Sequence, residues 1–127
     1  MYDACMKHDP DFEKLVADIM PRIKEIQASD VQAKLSNKDF ILIDVREKDE
    51  WDADHIPGAI HIGKGVIERD IAKNVSDKNQ KLILYCGGGY RSALAADNLQ
   101  KMGYTNVLSM NGGIRLWKEK AYPLTKG

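Results

Sequence analysis

Short apolar runs alternate with helical stretches along most of this chain, and this alternation constrains the fold more than any other feature of the sequence. The apolar runs are too short for helices and are mostly rich in β-branched or aromatic residues, which is typical of strands. They span residues 40–45, 59–62, 81–86 and 106–110, with helical stretches at 47–54, 66–75 and 91–102. Because strands that alternate with helices pair in parallel, the pattern predicts a three-layer α/β domain with helices on both faces of one sheet.

An amphipathic helix is predicted ahead of this alternation. Asp9 can cap it, Pro10 suits its first position, and the apolar residues that follow fall on one stripe until Pro21 ends or kinks it. We expect residues 1–24 to form an N-terminal helical extension and residues 25–127 to form the domain itself.

Length and charge exclude several classes of protein. A chain of 127 residues with 43% hydrophobic residues can bury one core, so one domain is expected. The formal net charge of +0 provides no broad basic field for nucleic acid or an anionic membrane surface. No apolar run approaches the roughly 20 residues of a membrane span, and the first residues lack the order of a secretory signal. We therefore expect a cytoplasmic protein.

The two cysteines, Cys5 and Cys86, are far apart, and neither belongs to a Cys-x-x-Cys pair. Zinc or iron–sulfur ligation is therefore not expected. Cys5 has no activating neighbours in the sequence. The chemistry is expected at Cys86.

Cys86 closes a predicted strand, at the edge of a parallel sheet where ligands bind. Three glycines follow it and then Tyr90, Arg91 and Ser92, where a helix begins. Such a loop can direct several backbone N–H groups, together with the positive end of the helix, at one anion. A thiolate would be stabilised there and nucleophilic at neutral pH.

Cys86 and its glycines have two alternative interpretations. Cys86 could be a small buried cysteine at a strand end, or the glycines could form a phosphate-binding loop. A buried core cysteine would not need three successive glycines, because they cost backbone entropy. A phosphate-binding loop is not favoured either, because the sequence has no Gly-Lys-Ser or Gly-x-Gly-x-x-Gly pattern.

Three ordered segments resemble the signatures of the rhodanese family. Residues 42–46, continued by Glu50-Trp51 and by residues 55–59, are similar to its first signature; residues 86–92 are similar to its active-site loop; and Gly112-Gly113 with Trp117 and Pro123 are similar to its closing signature. The resemblance implies a rhodanese-like fold with a five-stranded parallel sheet. It also implies double displacement, in which Cys86 takes sulfur from a small anionic donor such as thiosulfate. The resulting persulfide passes the sulfur to a thiol, cyanide or protein cysteine. The resemblance implies that this transfer needs no metal or organic cofactor.

The resemblance and the positions of the residues in the predicted strands and loops assign roles to individual residues. Cys86 is the catalytic nucleophile, Asp44 and Glu50 support the site, and Arg46 adds charge to the mouth of the pocket. A weaker hypothesis places Lys64 at the border of the site. The substrate-binding residues besides Arg46 are those of the loop, namely Gly87, Gly88, Gly89, Tyr90, Arg91 and Ser92.

Loop length bears on the competing activities. Phosphatases and arsenate reductases built on this fold place five residues between cysteine and arginine, whereas four lie between Cys86 and Arg91, and Ser92 stands where their arginine would be. The shorter cradle suits one sulfur atom better than a phosphoryl group. A noncatalytic docking module is the other alternative, although such modules often lack the cysteine. His55 could form a dyad with Cys86, but its Asp-His-Ile-Pro-Gly context favours a structural role in a turn.

Overall fold

The structure, a computed structural model, describes residues 8–37 and 39–126. It contains one parallel sheet in the order β1-β5-β4-β2-β3. The strands are β1 (Lys24–Ile26), β2 (Phe40–Asp44), β3 (Ile60–His61), β4 (Lys81–Tyr85) and β5 (Val107–Met110). The helices are α1 (Pro10–Ile19), α2 (Ala28–Ala33), α3 (Lys48–Ala53), α4 (Ile67–Asn74), α5 (Tyr90–Lys101) and α6 (Gly113–Glu119), with a short 3₁₀ turn at Met20–Arg22.

Side chains of β4 alternate between two hydrophobic cores, one on each face of the sheet. Leu82 and Leu84 pack with α1, α4 and α5, whereas Ile83 and Tyr85 pack with α2 and α6. All four are fully buried. The alternation follows from the two-residue period of a strand, and it confirms the predicted three-layer α/β fold.

Helix α1 begins and packs as its sequence predicts. The side chain of Asp9 accepts hydrogen bonds from the backbone N–H groups of Asp11 and Phe12, at 3.0 and 3.3 Å. Val16 is buried in the same core as α5. The boundary that we predict between residues 24 and 25 falls within β1, which pairs with β5. None of the helices in the described residues combines the length and apolar character that a membrane span requires.

Candidate active site

The thiol of Cys86 lies immediately beyond β4, at the carboxyl edge of the sheet. Its Sγ accepts hydrogen bonds from the backbone N–H groups of Gly89, at 3.1 Å, and Ser92, at 3.4 Å. The residue is only 1% exposed, so the sulfur lies deep in the loop. Two amides at the start of a 12-residue helix thus point at one sulfur atom, where they and the helix dipole favour negative charge.

Two glycines make this loop possible. Gly89 caps α5 with a φ of +109°, a conformation that suits glycine. Gly113, with a φ of +57°, begins α6 directly against the loop backbone, where a Cβ atom would overlap the carbonyl oxygen of Cys86.

Helix α6 holds the loop through its first backbone amides. Ile114 N–H donates to the carbonyl of Cys86 at 2.8 Å, and Arg115 N–H donates to that of Gly87 at 3.0 Å. The carbonyl and the following N–H of a trans peptide point in opposite directions. Tying these two carbonyls to α6 therefore turns the next amides of the loop away from that helix.

A buried pair of hydroxyl groups lies between the thiol of Cys86 and strand β5. Ser92 Oγ lies 3.5 Å from Cys86 Sγ and 2.8 Å from Ser109 Oγ in β5. Ser92 Oγ also donates to the carbonyl of Gly89 at 3.3 Å. Both serines are fully buried. The pair therefore fixes the end of the loop against the sheet.

Arg91 forms a bidentate ion pair with Glu50. The Nη1–Oε1 and Nη2–Oε2 distances are 2.8 and 3.2 Å. Glu50 is itself held at the start of α3, where its Oε1 accepts from the N–H of Glu47 at 2.9 Å. The pairing lowers the pKa of Glu50, and it raises the pKa of Arg91, to which the nearby Cys86 also contributes.

A model of the rhodanese-like domain matches residues 27–120. The chain belongs to the rhodanese-like family. It is 38% identical over 85 residues to the thiosulfate sulfurtransferase PspE of Escherichia coli (strain K12), covering 67% of this chain and 78% of that protein. It is 28% identical over 95 residues to the thiosulfate sulfurtransferase GlpE of Coxiella burnetii (strain RSA 493 / Nine Mile phase I), covering 75% of this chain and 87% of that protein. The resemblance seen in the sequence is thus confirmed.

Two further relatives bear on length and fold. The putative sulfur carrier protein YrkF of Bacillus subtilis (strain 168) is 33% identical over 99 residues, which are 77% of this chain but only 52% of that protein. The chain therefore spans about half of that relative. The crystal structure of a rhodanese-related protein from Thermoplasma volcanium superposes with a TM-score of 0.72 at 29% identity, covering 82% of this chain and 99% of that one. The predicted five-stranded rhodanese-like fold is confirmed.

Arg46 lies elsewhere than we expected from the sequence of this rhodanese-like domain. It is only 4% exposed, its Nη2 lies 2.8 Å from Asp44 Oδ2, and the same Nη2 donates to the carbonyl of Asp54 at 2.6 Å. Asp44 also accepts from the backbone N–H of Arg46 at 2.9 Å. Because its charge is buried and paired, these contacts favour a structural role for Arg46 over the expected role at the mouth of the pocket.

Other residues of the rhodanese-like signatures have structural contacts. His55 stacks on Trp51 at 3.5 Å between ring centroids, and its Nδ1 lies 3.1 Å from the carbonyl of Trp51. Its contacts are those of a structural residue rather than a partner of the thiol. The indole of Trp117 is fully buried and donates to the carbonyl of Pro123 at 2.7 Å. The ring of Tyr90 packs against Phe12 in α1, at 5.5 Å.

Lys64 lies in a different cavity from the loop, and Cys5 is not among the residues that the structure describes. Lys64 lines a surface cavity together with α1 and α5 residues, among them Leu15 and Asp97. That position gives no support to a role at the loop. Cys5 lies outside the described residues. Within the described part of the chain, no cluster of three or more His, Cys, Asp or Glu side chains could hold a metal ion.

Three residues near the rhodanese-like loop were missed or undervalued in the sequence. Ser109 carries a signal that could have been noticed, because a polar residue in a buried strand needs a partner. Glu50 was expected only to support the site, as Asp44 was, and its ion pair with Arg91 was not predicted. Arg115 carried no signal, since only the start of α6 at Gly113 brings its guanidinium beside the loop glycines.

Proposed function

We propose that this protein is a sulfurtransferase that moves sulfane sulfur through a persulfide on Cys86. The donor is a small anion such as thiosulfate, and the acceptor is a thiol, cyanide or a protein cysteine. The observation that carries the proposal is the pair of amides, from Gly89 and Ser92, that converge on Cys86 Sγ. The named activity of PspE and GlpE supports the same chemistry. We place the activity in the cytoplasm.

Two displacements at sulfur complete the reaction. The Cys86 thiolate attacks the outer sulfur of thiosulfate, an Sγ–S bond forms, and the S–S bond of the donor breaks as sulfite leaves with its electron pair. The acceptor thiolate or cyanide then attacks the outer sulfur of the persulfide, and the electron pair of the broken bond returns to Sγ. The reaction is thereby divided into two steps through a covalent intermediate.

The loop residues act mainly through their backbone in this proposal. The amides that surround Cys86 stabilise the thiolate and then the anionic persulfide, because they are fixed before the reaction begins. Gly87, Gly88 and Gly89 form the tight turn. The hydroxyl of Ser92 contacts the thiol of Cys86, and Glu50 holds Arg91 beside the loop. Because Cys86 is only 1% exposed, we expect the outer sulfur of the donor alone to enter the loop.

Intact-protein mass spectrometry after thiosulfate treatment tests the proposal. The wild type should gain one sulfur atom that a reductant removes, and Cys86→Ser should gain none. Cys5→Ser is the matched control and should be labelled like the wild type. Equal labelling of the wild type and Cys86→Ser would refute the role of Cys86. Hydrolysis of a phosphate ester by the wild type, without sulfur loading, would support a phosphatase instead.

A further inference from the structure

The two arginines that the sequence assigned to the site are both neutralised. Arg91 makes a bidentate pair with Glu50, and Arg46 makes a buried pair with Asp44. Each pair has no net charge. Neither arginine therefore supplies an unbalanced positive charge to an approaching dianion.

Arg115 provides a third guanidinium beside the loop. A Cβ atom built on Gly88 would lie 2.8 Å from its Nη1, and one built on Gly87 would lie 3.2 Å from its Nη2. The guanidinium therefore occupies the space that side chains at these two positions would fill. Within the described residues, no carboxylate oxygen lies within 4.0 Å of it, in contrast to Arg91 and Arg46.

Arg91 and Arg115 flank the same point of the loop. The Cβ position of Gly87 is 3.1 Å from Arg91 Nη2 and 3.2 Å from Arg115 Nη2. The distance between the two Nη2 atoms is therefore at most the sum of these two distances. Both guanidinium groups therefore lie beside Gly87, and the planar fork of a guanidinium suits the oxygen atoms of a small oxyanion.

We propose that Arg115 binds the oxyanion of the sulfur donor and makes the site selective for doubly charged donors of the thiosulfate class. The inference rests on the proposed function and extends it to the choice of donor. With Cys86 buried, the outer sulfur enters the loop while the sulfonate oxygens stay beside Gly87 and Gly88, where Arg115 lies. Arg115 also stabilises the sulfite that leaves, since charge moves onto those oxygens when the S–S bond breaks.

Steady-state kinetics of Arg115→Ala test this role. We expect the KM for thiosulfate to rise about 10-fold or more, the effect of losing one hydrogen bond to a charged group, with a smaller change in kcat. Arg115→Lys should recover part of the loss because it keeps the charge but not the fork. Lys120→Ala is the matched control: it removes one exposed charge just after the same helix and should behave as the wild type.

A second donor separates charge recognition from a general defect. An alkyl thiosulfonate carries one negative charge, and its displacement by Cys86 releases a sulfinate. We expect Arg115→Ala to lose less activity with this monoanion than with thiosulfate. Equal losses with both donors, or an equal rise in KM for Lys120→Ala, would overturn the assignment.

Gly88→Ala gives an independent variant should Arg115→Ala fail to fold. Its new methyl group would lie 2.8 Å from Arg115 Nη1, the mobile end of a side chain, so the guanidinium must move. We expect the KM for thiosulfate to rise without a large loss of stability. An unchanged KM in both folded variants, with an active wild type, would refute the role of Arg115 alone. A wild type that forms no persulfide would instead refute the proposed function.

Discussion

Gly113→Ala should destabilise the protein more than any other substitution of glycine by alanine for which the structure gives the surroundings. The new Cβ atom would overlap the carbonyl oxygen of Cys86 and would lie 2.6 Å from that of Gly87. Both atoms belong to the backbone, so no side-chain rotation relieves the contact. Helix α6 must move away from the loop that carries the thiol.

The size of the effect follows from two contributions. The φ of Gly113 is +57°, and an L-residue in this conformation costs about 1–2 kcal/mol. Moving α6 also weakens the hydrogen bonds from Ile114 and Arg115 to the loop carbonyls, at about 1 kcal/mol each. Together they predict a loss of about 3–4 kcal/mol in the free energy of unfolding.

Urea denaturation of three variants isolates the steric contribution. Gly58 has a φ of +86°, and nothing lies within 4 Å of the position that its Cβ atom would take, so Gly58→Ala should cost only the conformational part, about 1–2 kcal/mol. Gly65 has open space and no positive φ, so Gly65→Ala should change stability by less than about 1 kcal/mol. Both controls should keep sulfur-transfer activity.

The difference in stability between Gly113→Ala and Gly58→Ala tests whether the close contact of α6 with the loop is energetically important. If Gly113→Ala loses no more stability than Gly58→Ala, the close approach of α6 to the loop carries no energetic weight and the reasoning is refuted. If it is destabilised as expected, the folded fraction should also show weakened persulfide formation, because α6 sets the direction of the loop amides.

Two further predictions concern the ion pairs. Asp44→Asn removes the closest partner of the buried Arg46 charge and leaves only the more distant carboxylate of Asp54, at 3.9 Å. It should lower the free energy of unfolding in urea by about 3–5 kcal/mol, while the KM for thiosulfate of the folded protein stays unchanged; a higher KM would support a role for Arg46 in the site. Glu50 has a lowered pKa in the folded state, so its ionised form contributes stability above its ordinary pKa, and this contribution is lost as pH falls through the folded value. Glu50→Gln should therefore lose less stability than the wild type as pH falls below about 5, and equal slopes of unfolding free energy against pH in urea titrations would contradict this.

The central strands could be predicted from the sequence because each is short and mostly apolar. β2, β4 and β5 lie within one residue of the predicted ranges at each end. β1 was missed, since Lys24–Ile26 is three residues long and two of them are charged. Helix α6 was missed as well, because it has seven residues and begins at two glycines with positive φ rather than at a side-chain cap.

The same distinction between local and distant signals applies to the site. Cys86 and its glycine loop are contiguous, so their chemistry could be argued from the sequence. Arg115 and Ser109 reach the loop only through the packing of α6 and β5, which no local pattern encodes. The burial of Arg46 could not be predicted for a related reason: a strand end suggests an open pocket, but burial beside Asp44 depends on the whole sheet.

The surroundings of Ser92 support the proposal that this loop takes up sulfur rather than a phosphoryl group. In the longer phosphatase cradle an arginine would occupy this position and grip two phosphate oxygens. Here the side chain at residue 92 points between the thiol and β5, where Ser92 Oγ lies 3.5 Å from Cys86 Sγ and 2.8 Å from Ser109 Oγ. A guanidinium does not fit between groups so close, and the residue is fully buried. Within the loop, the charge of Arg91 is balanced by Glu50, so the proposal takes unbalanced positive charge for a substrate from Arg115, whose guanidinium lies over the loop glycines.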